Sequence, residues 1–90
     1  MTKAAAAALA RGLAIDLAPR GIRVNTIQPG PIVTETNPSE GAKADFIRSL
    51  IPLGRMGTED EVAGMVVYLA GPEAGFVTGS ALNMDGGILA

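Results

Sequence analysis

The chain contains no histidine, no cysteine and no tryptophan, and its aromatic residues are confined to Phe46, Phe76 and Tyr68. Each absence removes a class of chemistry. Without cysteine no disulfide can staple a small fold, and zinc sites built on thiolate or imidazole are excluded. Ser-His-Asp and Cys-His catalysis are excluded with them. Proton chemistry must come from Lys, Asp, Glu or Tyr68. The acidic cluster Glu59-Asp60-Glu61 reads as helix capping, so no metal site is expected.

Charge is equally sparse. Seven basic residues face nine acidic ones, for a net charge of −2. No Lys/Arg run and almost no stacking aromatics are present, which argues against nucleic acid as a partner. The longest aliphatic run near the N-terminus, Ala4 to Ala10, is bounded by Lys3 and Arg11. A membrane span needs about 20 apolar residues, so no membrane association is expected. Lys3 before an alanine-rich stretch has some likeness to a targeting peptide, but the apolar run is short and Arg11 interrupts it. A cytoplasmic location is the expectation.

What the chain does have is aliphatic surface. Hydrophobic residues make up 48% of the 90 positions, and mean hydropathy is +0.32. A chain of this size buries only about two-thirds of its unfolded surface, so more apolar face is present than it can bury alone.

Ala4 to Ala18 reads as a helix, with Leu9, Leu13 and Leu17 on one face and Pro19-Arg20-Gly21 as its stop. Thr2 is available as its N-cap, but Lys3 in the first turn opposes the helix dipole, as if the helix were entered part-way along. Ile22 to Gln28 reads as a strand, ended by Pro29-Gly30-Pro31. Ile32 to Glu40 carries loop chemistry. A short helix follows over Lys43 to Ile51, with Phe46, Ile47 and Leu50 on one face. Pro52 to Gly57 is a turn, and Thr58-Glu59-Asp60-Glu61 is a capping box. It opens a second long helix whose stripe is Val62, Met65, Val66 and Leu69, ending near Ala70. Ser80 to Met84 reads as a strand and Asp85-Gly86-Gly87 as a turn. The fold class is α/β, in the order helix, strand, helix, helix, strand. Two strands and two long helices do not close a parallel layer structure.

Four stretches in this order resemble the short-chain dehydrogenase/reductase family. Met1-Thr2-Lys3-Ala4 resembles the end of its Tyr-x-x-x-Lys motif and the start of the next helix. Arg20 to Asn25 is similar to the approach to its sixth strand. Pro29-Gly30-Pro31-Ile32-Val33-Thr34 resembles its PG-x-x-x-T cofactor loop. Val77-Thr78-Gly79 with Asp85-Gly86-Gly87 resembles its C-terminal signature. The resemblance implies that residues 1–90 are the C-terminal fragment of one NAD(P)-binding, Rossmann-like domain with a doubly wound parallel sheet. The parent would move a hydride between NAD or NADP and a small-molecule carbonyl/alcohol pair. Lys3 would be the catalytic lysine, binding the nicotinamide ribose and lowering the pKa of the family's tyrosine. Pro29, Gly30, Ile32 and Thr34 would be cofactor-binding, through backbone groups near Ile32 and the Thr34 hydroxyl. A loop past the carboxyl end of a parallel strand is where α/β sheets bind ligands, and Gly30 would let the backbone approach closely.

The departures are as informative. The family's tyrosine would fall two residues before Met1, and its Gly-rich loop and catalytic serine have no counterpart. Tyr68 is no substitute, since Pro72 stands where a lysine would be needed. Whether the chain is an enzyme is therefore open at this point. The resemblance implies partners too: the missing N-terminal part of the fold, or another copy of the chain. The alanine-rich face of the first helix corresponds to a family subunit interface, which implies a homo-oligomer. Asn25 reads as a structural amide, Asp85 as the brace of the last turn, and Asn37 to Leu53 as a substrate lid. An alternative reading is a nucleotide-binding regulator of the cyclic-di-GMP type on the same fold, suggested by Gln28 to Gly41 and the ending around Gly86.

With no proton donor and no dinucleotide loop, the purified 90-residue chain is expected to oxidise no NADPH in the presence of generic ketones. Turnover above a buffer blank would contradict this.

Overall fold

A computed structural model describes residues 2–90. Five elements carry the fold: α1 (Lys3–Leu17), β1 (Thr26–Pro29), α2 (Ala42–Ser49), α3 (Glu59–Ala70) and β2 (Ala81–Met84). Short 3-10 turns follow α1 at Ala18–Arg20 and α3 at Pro72–Ala74. The expected order is observed. The strands form one two-stranded sheet. The Thr26 N–H donates to the Ser80 carbonyl and the Gly30 N–H to the Met84 carbonyl. Both partners advance together, so the pairing is parallel. Pro29 is tolerated at the strand end because its missing N–H falls on the alternate side, away from β2.

The chain divides into two compact units. The first runs to Gln28 and includes Met65–Leu82. The second comprises Pro29–Gly64 and Asn83–Ala90.

In the first unit, Thr2 caps α1 after all: its Oγ1 accepts from the Ala5 N–H at 3.0 Å, satisfying an otherwise orphaned donor. The buried stripe of α1 is Ala7, Ala10 and Ala14, not the leucines. Ala10 is 5% exposed and Leu9 50%. Small side chains win this face because close approach needs them. Gly79, at φ +74°, would place a Cβ 3.5 Å from the Ala14 Cβ.

The expected strand from Ile22 shortens to Thr26–Pro29. Side chains replace the ladder upstream. The Val24 N–H donates to Thr78 Oγ1 at 3.0 Å, and the Gly79 N–H donates to the Val24 carbonyl at 2.7 Å. Asn25 Nδ2 donates to the Val77 carbonyl at 3.0 Å, while its Oδ1 accepts from the Ser80 N–H at 3.1 Å. Asn25 is thus the structural amide expected. Arg23 donates to the carbonyls of Leu69 and Val77, tying the end of α3 to the same segment.

In the second unit, Ala44, Ile51 and Met56 form a buried cluster, with Val33, Ile47 and Ile88 against it. Phe46 and Leu50, expected on the inner face of α2, are more than half exposed. Ile47 of the expected stripe does pack against the cluster, which Ala44 joins from within the helix and Ile51 from beyond its end. Along α3 the stripe of Val62, Met65 and Leu69 is partly buried and Val66 is exposed. Among the described residues, the buried apolar set is five alanines with Ile51 and Met56. No helix among them is long and apolar enough to cross a membrane.

Replacing Asn25 by Ala strands the Ser80 donor and removes a hydrogen bond to Val77, at a cost of about 1–3 kcal/mol. Faster hydrogen exchange at the Ser80 amide is the expected readout. An unchanged rate would show that the amide is not held by this side chain.

Candidate functional site

Pro29 closes β1, and Gly30, Ile32 and Thr34 follow in the loop directly past its carboxyl end, all four in the second unit. Lys3 belongs to the first unit, in the first turn of α1. Met1, which opens the stretch resembling the lysine motif, lies outside the described residues. Lys3 is exposed, and its carbonyl accepts from Gln28 Nε2 at 3.0 Å.

The loop is held by its backbone. Ile32 pairs in parallel with Gly57. The Gly57 N–H donates to the Pro31 carbonyl and the Val33 N–H to the Gly57 carbonyl, both at 2.9 Å. A Cβ on Gly57 would sit 2.8 Å from Ile32 Cδ1. Further along, Thr34 and Asn37 exchange backbone hydrogen bonds at 3.1 and 3.2 Å, and Asn37 Nδ2 donates to the Ile32 carbonyl at 3.2 Å. The Ile32 N–H has no partner among the described residues. Thr34 Oγ1 lies 3.4 Å from Thr36 Oγ1. Loop backbone is therefore pinned on both sides of Ile32, whose N–H is unpartnered among the described residues, while the Thr34 hydroxyl is shared with Thr36.

Gly30 has a role beyond the one expected of it. A Cβ there would lie 2.7 Å from Asp85 Cβ and 2.8 Å from Asp85 Cα. The bare backbone is required by the turn after β2, within the chain itself. Asp85 Oδ1 accepts from the Gly87 N–H at 2.9 Å, so Asp85 does brace the last turn. Gly86 (φ +64°) and Gly87 (φ +92°) supply its left-handed backbone.

Arg55 and Glu61 were not among the expected site residues. Arg55 Nη1 and Nη2 donate to Glu61 Oε1 and Oε2, each at 2.8 Å. Glu61 Oε1 also accepts from the Thr58 N–H at 3.0 Å, and Thr58 Oγ1 accepts from the Glu61 N–H at 3.1 Å. The capping box was legible in the sequence. The arginine that joins it was not, because a six-residue separation across a turn carries no helical or strand period.

The family model described as enoyl-(acyl carrier protein) reductase matches residues 1–89. The chain belongs to the short-chain dehydrogenase/reductase family. It is 53% identical over 85 residues to the cyclic-di-GMP-binding biofilm dispersal mediator protein of Escherichia coli, covering 94% of this chain and 36% of that protein. Among solved structures, a doubly substituted Serratia marcescens short-chain dehydrogenase/reductase superposes with a TM-score of 0.92 at 50% identity, covering 97% of this chain and 36% of that one. A Burkholderia cenocepacia short-chain dehydrogenase in complex with NADP gives a TM-score of 0.89 at 44% identity, covering 97% and 36%. The chain thus spans about a third of the length of the relatives it matches. The α/β architecture is that of this family's Rossmann-like fold.

The ion pair has a pH signature. The hydrogen bonds from Arg55, then from the Thr58 N–H, lower the Glu61 pKa from 4.5 to about 2. A depressed folded pKa means that the pair's contribution is complete above 4.5 and fades as pH falls toward 2. An NMR titration of the Glu61 carboxyl is expected to show a midpoint well below 4.5, returning toward it in Arg55→Ala. A midpoint of 4.5 in the unsubstituted chain would contradict the pair.

Proposed function

We propose that this chain supplies the lysine and the nicotinamide-side loop of an NAD(P)(H)-dependent short-chain oxidoreductase that interconverts a carbonyl and an alcohol. The observation that carries the reading is the Pro29–Thr34 loop. It runs from a parallel strand's carboxyl end, its backbone is pinned to Gly57 and Asn37, and the Ile32 N–H has no partner among the described residues. A pinned loop with an unspent donor loses little entropy when it binds. The donor set fits the carboxamide and phosphates of a nicotinamide dinucleotide, and a relative of this fold is described with NADP. That cofactor, when bound, supplies the hydride. Lys3 then acts electrostatically, holding ribose hydroxyls and favouring the ionised form of a neighbouring proton donor.

The rest of such a site lies outside these 90 residues. Two surfaces of the first unit support a covering partner, whether the remainder of the fold or another copy of the chain. Leu9, Leu13 and Ile15 of α1 face outward. A groove of about 330 Å³ lies between Arg23, Asn25 and Ile27 on one side and Val66, Leu69 and Ala70 on the other. Arg23 Nη1 and Nη2 and Asn25 Nδ2 are already committed to backbone carbonyls, and Asn25 Oδ1 to the Ser80 N–H. The groove therefore presents apolar surface for packing rather than a ligand's hydrogen-bonding site.

A hybrid tests the reading, with this chain replacing the matching third of the Serratia marcescens enzyme. The hybrid is expected to oxidise NADPH with a carbonyl substrate. Lys3→Ala in it is expected to lower kcat by about 100-fold or more, with the fold retained by circular dichroism. A second reading, a cyclic-di-GMP-type regulator, is supported by the 53% identity to the dispersal mediator. A folded hybrid that binds cyclic-di-GMP by calorimetry but never oxidises NADPH would replace the first reading with the second.

A further inference from the structure

Gly57 is the strut of the loop, since both of its backbone groups are spent on Pro31 and Val33. Nothing in its own side chain can hold it in place. Its two neighbours do. The Met56 carbonyl accepts from Arg55 Nη1 at 3.1 Å, and the Thr58 N–H donates to Glu61 Oε1 at 3.0 Å. Arg55 and Glu61 are in turn joined by two parallel hydrogen bonds of 2.8 Å. One bidentate pair therefore clamps the peptide units on both sides of Gly57. The Met56 side chain is buried in the Ala44–Ile51 cluster, which fixes the clamp to the core of the second unit.

We infer that Arg55 is a positioning residue for the Pro31–Thr34 loop, acting through Glu61 and Gly57, with its side-chain hydrogen bonds among the described residues going to Met56 and Glu61 rather than to the loop. The geometry of the pair carries this. A planar guanidinium against a carboxylate fixes distance and angle together, whereas a single charge fixes distance alone. Arg55 and Glu61 are both largely exposed, and exposed pairs add little to global stability. The pair's effect is therefore local: it sets where Gly57 presents its N–H and carbonyl. A displacement of that edge moves the Ile32 donor with it. This rests on the reading of the loop as the cofactor's nicotinamide-side contact.

The hybrid separates the two. In Arg55→Ala, amide exchange at Val33 and Gly57 is expected to speed up by about tenfold while core amides of the second unit keep their rates. The cofactor KM is expected to rise by about fivefold with kcat changed by less than about twofold, because a misplaced binding loop is populated less often in its competent form. Arg55→Lys keeps the charge but not the fork, and is expected to recover only part of the loss. Should Arg55→Ala fail to fold, Glu61→Gln keeps an oxygen facing Thr58 and weakens only the charged pair. Exchange at Val33 and Gly57 within about twofold of the parent in a folded variant would overturn the inference. So would faster exchange with an unchanged cofactor KM. A hybrid that never oxidises NADPH, before any substitution at Arg55, is instead a failure of the functional reading, and the exchange measurement still decides the clamp.

Discussion

Parallel pairing of β1 with β2 sends the carboxyl ends of both strands the same way, and the second unit is organised around that consequence. The segments leaving the strands, Gly30 onward and Asp85 onward, emerge side by side. At Gly30 they come so close that any Cβ would collide with Asp85. Asp85 then turns the chain back on two left-handed glycines. The loop from Pro29 to Thr34 is thus displayed where two strands end, and hydrogen bonds to Gly57 and Asn37 hold its shape. A single parallel ladder places the loop, and backbone groups on later segments give it its rigidity.

The economy of the side chains matters to how this works. Few of the chain's large residues are buried, and among the described residues alanine fills most of the buried positions. Alanine and glycine permit backbones to approach, as α1 and Gly79 do. They contribute little apolar area, so polar groups with defined geometry take over the task of fixing segments. Asn25, Arg23 and Thr78 do so in the first unit, and Asn37, Asp85, Arg55 and Glu61 in the second.

The turn after β1 and the start of α3 were legible in the linear order of residues. Pro29-Gly30-Pro31 marks a strand end and a turn, and Thr58 with Glu61 marks a helix start, because both are local devices that act within a few residues. The element order followed from the same signals. What was misread depended on distant partners. The strand expected from Ile22 is shortened because the Thr78 hydroxyl takes the Val24 N–H, while the Asn25 side chain takes the Val77 carbonyl and the Ser80 N–H. The buried faces of α1 and α2 fall on alanines rather than on leucine or phenylalanine, because close approach, not residue size, selects what is covered. The close approach of Gly30 to Asp85 was likewise invisible in the linear order, since the two residues lie on segments that only folding brings together.

By itself the sequence determined the α/β order and the motif pattern of the short-chain dehydrogenase/reductase family, since propensity, caps and turns are written within a turn or two of chain. It also excluded histidine, thiol and disulfide chemistry outright. Only the tertiary structure decided which groups are spent and which are free. Among the described residues the Ile32 N–H is unspent, with Gly57 taking the groups on either side of it, and Arg55 reaches Glu61 across the turn beside Gly57. Such choices depend on hydrogen-bond partners brought together by folding, and no period or spacing in the chain announces them.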